Sequence, residues 1–304
     1  MRNDFKINSF QELDLYGYTW KKVPEENAKA VIVLVHGMAE HIERYDAFAN
    51  FLADNGFYIY AINQRGHGPK AEMQGYLGEN GWYKMKEDLK KVIETAKAEN
   101  PSKPIFVFGH SMGSFVTRNF LIENSSLVDA VILSGTGFAP KFLIKAGKWL
   151  SGRDVKKYGV KHLSKKIDNI AFGSYTNKID KPKTSFDWLS RDAEQVAKYI
   201  NDPYSGNMHP SSFFNDFFNG LLELLYHPEY KNIKKGLPVY LISGDQDPVG
   251  SYGQGVIKAA EAYEEIGFKV FKKLYSGGRH EMLNETNRNE VFNDVLSFFN
   301  SQIE

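Results

Sequence analysis

Serine is a weak nucleophile unless a neighbouring base takes its proton and a carboxylate orients that base. One serine in this sequence stands where such a device can be built. Gly109-His110-Ser111-Met112-Gly113 follows the apolar run 104–109 and opens a helix-like stretch over 112–124. A strand that turns sharply into a helix at a serine lifts the hydroxyl above the sheet, and the crowding there favours glycine at the flanking positions. Further along, one strand-like run ends in Asp245-Gln246-Asp247-Pro248, and the next ends in Gly277-Gly278-Arg279-His280-Glu281. Candidate acid and base therefore follow strand C-termini, the edge where open α/β sheets place their sites. Ser111 is the expected nucleophile and His280 the expected base. Local physics leaves the acid open: Pro248 fixes the chain just after Asp247, while Asp245 comes directly after the strand glycine.

The chain has eight histidines, and the other seven compete for the role of base. His36, His67 and His110 precede or adjoin the nucleophile, and His41 lies in the loop that leads into the first helix. His162, His209 and His227 fall outside the strand–helix rhythm. Each is read as structural.

An acyl-transfer site also needs two backbone N–H groups for the developing oxyanion. One is expected from Met112, at a helix start where amides are unpaired and the dipole favours negative charge. The other is expected from Met38, in the loop His36-Gly37-Met38-Ala39-Glu40-His41, where Gly37 permits a sharp turn. A third loop, Asn63-Gln64-Arg65-Gly66-His67-Gly68, reads as a tight supporting turn.

These loops need a scaffold that brings strand ends together. Buried-strand patterns run over 30–36, 57–62, 104–109, 127–134 and 237–244, with an alternating sixth over 268–275 that suits an edge. Helical patterns fall at 43–55, 83–98, 112–124, 251–266 and 288–302. The rhythm is βαβα, a mostly parallel central sheet flanked by helices. Residues 5–20 suggest an edge hairpin. The rhythm breaks between 136 and 230, where lysine-rich and Phe-rich helical pieces replace strands. That stretch reads as a helical cap inserted into a core formed by 1–135 and 231–304. Trp149, Phe213, Phe214, Phe217 and Phe218 are its candidates for an acyl pocket, and its amphipathic pieces suit a weak contact with a membrane or micelle surface.

Composition bounds the chemistry. Among 304 residues there is no cysteine, which removes disulfides, thiol nucleophiles and thiolate metal sites. Thirty-eight basic against 37 acidic residues leave a formal charge of +1, no basis for nucleic-acid binding. No cofactor or metal is expected, since H-E-x-x-H, a P-loop and G-x-G-x-x-G are all missing. The N-terminal run has no secretory pattern and no stretch suits a membrane span, so the reading is cytoplasmic.

The motifs HGMAEHIERY (36–45), NQRGHG (63–68), GHSMGS (109–114), SGDQDPVG (243–250) and GGRHE (277–281) together resemble the α/β-hydrolase fold. More narrowly, they resemble its monoacylglycerol lipase and lysophospholipase-like branch, grouped with serine aminopeptidase-like hydrolases. The resemblance implies a serine esterase acting on an ester with an apolar acyl chain, with water as second substrate. It selects Asp247 as the acid and places Glu40, His41 and Arg44 as braces of the oxyanion loop. Asp202-Pro203 resembles a recurrent cap element. The chain departs from the family pattern at Asn63, commonly aspartate, and at Pro69, commonly small and polar. Peptidase, short-ester and phenolic-ester activities share the same triad.

Overall fold

Five short apolar runs form the centre of the sheet because each can be buried on both faces. The computed structural model describes residues 2–10, 13–226, 230 and 233–303. Strands β1 (Arg2–Asn8), β2 (Asp14–Trp20), β3 (Val31–Val35), β4 (Tyr58–Ile62), β5 (Ile105–His110), β6 (Ala130–Ser134), β7 (Pro238–Gly244) and β8 (Lys269–Tyr275) make one eight-stranded sheet. Its order is β1-β2-β4-β3-β5-β6-β7-β8. The pairs from β4 to β8 are parallel, whereas β1 and β2 form an antiparallel hairpin that closes on β4. Every residue of β3 to β6 is buried, while β8 alternates at the edge. The sixth strand and the hairpin thus occupy the edges, as their patterns predict. The strand expected from 127 starts later, at Ala130, because Ser125–Leu127 forms a short 3-10 turn.

Helices cover both faces. On one lie α1 (Asp46–Asp54) and α9 (Arg288–Asn300), packed through Phe48, Leu52, Val295 and Phe299. On the other lie α2 (Gly81–Glu99), α3 (Met112–Asn124) and α8 (Gln254–Ile266). Between β6 and β7 the chain forms α4 (Lys141–Tyr158), α5 (Lys165–Phe172), α6 (Ala193–Asn201) and α7 (Ser211–Tyr226). None of their residues joins the sheet. This helical insertion leaves the sheet at the C-terminal edge, so it must stand over the loops after β3, β5, β7 and β8.

Phe106 ties sheet to helix. It is fully buried on β5, and its ring stacks on Phe299 of α9 at 5.1 Å. Phe106→Ala leaves a cavity that the rigid sheet cannot close, with an expected loss of about 3–5 kcal/mol in a urea titration.

Candidate active site

Ser111 sits between β5 and α3 with φ 51° and ψ −120°, a left-handed conformation unusual for a residue with a Cβ. Holding it costs about 1–3 kcal/mol, and the surroundings over-determine it. The Ser111 N–H donates to the Ser134 carbonyl at 2.8 Å, and the Ser111 carbonyl accepts from Ser114 N–H at 2.9 Å and Ser114 Oγ at 2.6 Å. Gly113 is needed for approach: a Cβ there would overlap the carbonyl oxygens of Val35 and His36. The turn therefore presses α3 against the end of β3, which sets Gly37 beside Ser111.

The structure separates the two aspartates. Asp247 is fully buried, and its Oδ2 accepts from His280 Nδ1 at 2.9 Å and from Ser243 Oγ at 3.0 Å. Its Oδ1 accepts from Val249 N–H at 2.8 Å. Asp245 instead accepts from Gly277 N–H at 2.9 Å and from Gln246. Burial opposes the Asp247 charge, yet His280 and these hydrogen bonds outweigh it and lower the carboxyl pKa. Burial likewise opposes a charge on His280, and Asp247 overcomes it, so the imidazole pKa is raised. His36, His67 and His209 are pushed down to about 3 by burial, and His110 to about 4. His280 is thus set apart from its buried neighbours by its carboxylate. The Ser111 hydroxyl is not hydrogen-bonded to His280 here; such contacts commonly tighten only around bound substrate.

Met38, Met112, Ser111 and His280 line one cavity of about 580 Å³. Met112 opens α3, so its amide has no intrahelical acceptor. The Met38 turn is held from below, where Glu40 Oε1 accepts from Gly37 N–H at 2.5 Å and from Tyr45 at 2.8 Å. Arg44 links Glu40 (2.5 Å) to Glu281 (2.7 and 2.6 Å), the residue after His280. Arg44 keeps Glu281 at about 2 despite burial. His41 Nε2 donates to Asp202 at 2.5 Å, and Gly206 N–H donates to the Ala39 carbonyl at 2.9 Å. These two bonds tether the Met38 loop to the insertion.

The NQRGHG loop supports, as its composition suggests. The Gln64 N–H donates to His36 Nε2 at 2.9 Å, its side-chain amide donates to the His36 carbonyl at 2.6 Å, and Arg65 pairs with buried Asp88 at 2.7 Å. Asn63, where the resemblance has aspartate, accepts from Ile42 N–H at 2.8 Å through its amide oxygen. His67 meets His209 of the insertion, Nε2 to Nε2, at 3.1 Å. His162 stacks on Tyr158 at 4.5 Å. His227 lies outside the described residues.

Two expected pocket residues are corrected. Trp149 is 64% exposed and Phe213 is buried outside the cavity wall. On α4 the wall is Leu143, Ile144, Ala146, Gly147 and Leu150, and Trp149 is turned away from that face toward solvent. On α7 it is Phe214, Phe217, Phe218, Leu221 and Leu225. Phe213 is turned instead onto His209, 4.4 Å away. Trp188, which sequence reasoning missed, lies 5.0 Å from the His280 ring, and its carbonyl accepts from His280 N–H at 3.3 Å. Only its residue type signalled it, because the contact spans 92 residues.

Arg44→Met leaves Glu40 and Glu281 buried without their shared cation. The expected loss is about 3–5 kcal/mol in chemical denaturation, and Arg44→Lys recovers only part because an ammonium lacks the bidentate fork.

Residues 26–287 match the family described as serine aminopeptidase, S33. The monoacylglycerol lipase of Mycolicibacterium smegmatis is 26% identical over 92% of this chain and 91% of that one. The monoglyceride lipase of Rattus norvegicus is 25% identical, covering 93% and 84%. Among solved structures, a thermostable carboxyl esterase from Bacillus coagulans, crystallised with glycerol, superposes with a TM-score of 0.92. It is 27% identical, covering 100% of this chain and 99% of that one. With its strand order, its serine turn and a family match across most of its length, the chain belongs to the serine aminopeptidase S33 family of α/β-hydrolases, in the monoacylglycerol lipase-like branch, and is a serine hydrolase.

Proposed function

We propose that the protein hydrolyses carboxylic esters with apolar acyl chains, of the monoacylglycerol or lysophospholipid type, through a Ser111–His280–Asp247 triad. The observation that carries this is the cavity at Ser111, whose wall is built largely from Phe, Leu, Ile and Met side chains. Such a space lets an acyl chain leave water at about 0.8 kcal/mol per methylene.

His280 takes the Ser111 proton as Oγ attacks the ester carbonyl, and Asp247 holds the imidazolium that forms. The Met38 and Met112 amides receive the oxyanion. His280 then protonates the departing alcohol, and the same imidazole activates water to release the acid from Ser111. No cofactor or metal takes part in this scheme. Among the described residues no group of three or more His, Asp or Glu side chains is placed to hold a metal ion.

The insertion serves in this reading as a cap that presents the cavity to lipid. Phe142 and Trp149 stand 70% and 64% exposed on α4 beside exposed Lys145 and Lys148. An apolar stripe flanked by lysines suits shallow contact with an interface. Among the described residues no helix is long and apolar enough to cross a membrane.

Purified protein is expected to cleave monoacylglycerols faster than short aryl esters or aminoacyl amides. Ser111→Ala removes the activity, and Asp247→Asn lowers kcat by about 10⁴-fold. Cleavage of amides without acylglycerols overturns the esterase reading, and full activity in the alanine variant overturns the triad. Because only neutral His280 is a base and Asp247 raises its pKa, log kcat/KM falls with acid starting above the ordinary histidine range near pH 6.5. A midpoint below pH 6 contradicts that coupling. Replacing Phe142 and Trp149 with serine weakens co-sedimentation with vesicles while hydrolysis of a soluble short ester continues.

A further inference from the structure

The cavity wall holds one ionisable side chain that ester hydrolysis does not use. Asp168 lines the cavity from α5 and is half-buried. Among the described residues its carboxylate has no hydrogen-bond or ion-pair partner, and burial alone acts on it, raising its pKa. Ser164 caps the helix, so Asp168 is not needed for that. Lys165 and Lys166 beside it are exposed and outside the wall.

The rest of the wall sharpens the oddity. Among the described residues no lysine or arginine lines the cavity. Its other carboxylates, Glu40 and Glu281, share the single guanidinium of Arg44, and Asp247 stands behind His280. The cavity wall therefore holds more carboxylates than cationic side chains, with no lysine or arginine among the described residues to receive a substrate anion. One turn along α5 from Asp168, Phe172 stacks on Trp188 at 6.4 Å, and Trp188 packs on His280. In the proposed mechanism His280 delivers its proton to the leaving alcohol, and these rings link α5 to the His280 side of the cavity.

We propose that Asp168 is a specificity-determining carboxylate on the alcohol side of the cavity, which refuses esters whose alcohol part carries a phosphate and passes uncharged ones such as acylglycerols. This rests on the esterase reading and narrows it: of the two lipid classes that reading admits, the uncharged one is the substrate. An uncompensated charge lining a partly dry cavity repels a phosphate, whereas a hydroxyl can donate to the same carboxylate.

The test compares kcat/KM for a monoacylglycerol, for the 1-acylglycerol 3-phosphate of the same chain, and for a glyceryl monoester of a dicarboxylic acid. The last carries its charge at the far end of the acyl chain. Wild-type protein, Asp168→Asn and Asp180→Asn are assayed at low and high salt, the last variant removing an exposed charge on the same insertion. In Asp168→Asn the ratio of phosphate ester to uncharged ester rises about tenfold at low salt and less at 0.5 M salt, where charges are screened. Asp180→Asn leaves the ratio unchanged. A purely helix-stabilising Asp168 would shift the melting temperature and not the ratio, which overturns the proposal. A rise confined to the dicarboxylic ester places Asp168 on the acyl side and also overturns it. If wild-type protein cleaves none of the esters, the esterase reading fails first; if it cleaves the uncharged ester and the ratio stays fixed, only the role of Asp168 fails.

Discussion

Arg44 holds the site together. Its guanidinium bridges Glu40, which grips the Gly37 amide, and Glu281, which follows His280. Three loops from separate strands must stand within a few ångströms for the proposed chemistry, and the sheet alone only brings their starting points to one edge. The bridge converts that rough convergence into fixed geometry between the loop after β3 and the loop after β8. All three groups are nearly buried. Breaking one contact leaves an unpaired charge in a low-dielectric region, so the arrangement has no soft way to relax. The Arg44 cation also lies 4.7 Å from the Tyr199 ring of α6, which joins the insertion to the same centre.

The insertion completes what the core begins. His280 is backed by the ring and carbonyl of Trp188, and Glu281 N–H donates to the Leu189 carbonyl at 2.7 Å. The base is therefore held by the segment that also walls the cavity. Burial keeps His36, His67, His110 and His209 from taking protons near neutrality, and it leaves His280 to titrate with Asp247. A single physical cause, loss of solvent, acts on all five rings. The buried carboxylate sets His280 apart from the other four.

Ser111, His280 and the parallel sheet were legible in the sequence because their signals are local: a serine between glycines at a strand end, β-branched runs, chain order. Asp247 against Asp245 was not legible from local chemistry, since the difference lies in which side chain turns inward to meet a ring 33 residues away. The cavity wall was legible only in part. Phe-rich α7 announced an apolar face, and Phe214, Phe217 and Phe218 do line the cavity, but one residue is a 100° rotation on a helix, which sends Phe213 elsewhere. Trp149 failed for the same reason on α4. Which face of an inserted helix looks inward is decided by its partners, and no single sequence states that partner.

Net charge is the instructive remainder. A formal +1 over the whole chain gave no basis for nucleic-acid binding, yet the sum conceals a separation. Lys145, Lys148, Lys156, Lys157, Lys161, Lys165 and Lys166 are all exposed on the insertion, while the cavity beneath has carboxylates and no lysine or arginine among the described residues. In the proposed function the outside of this segment would draw anionic surfaces over a Debye length of about 8 Å, and Asp168 would repel anions at contact. Attraction that far out cannot select a molecule, because every anionic lipid shares it. Selection happens where water is excluded and a charge is felt at full strength. If the proposed function holds, a surface and a cavity of opposite sign act in sequence on one encounter, the first gathering lipid and the second sorting it.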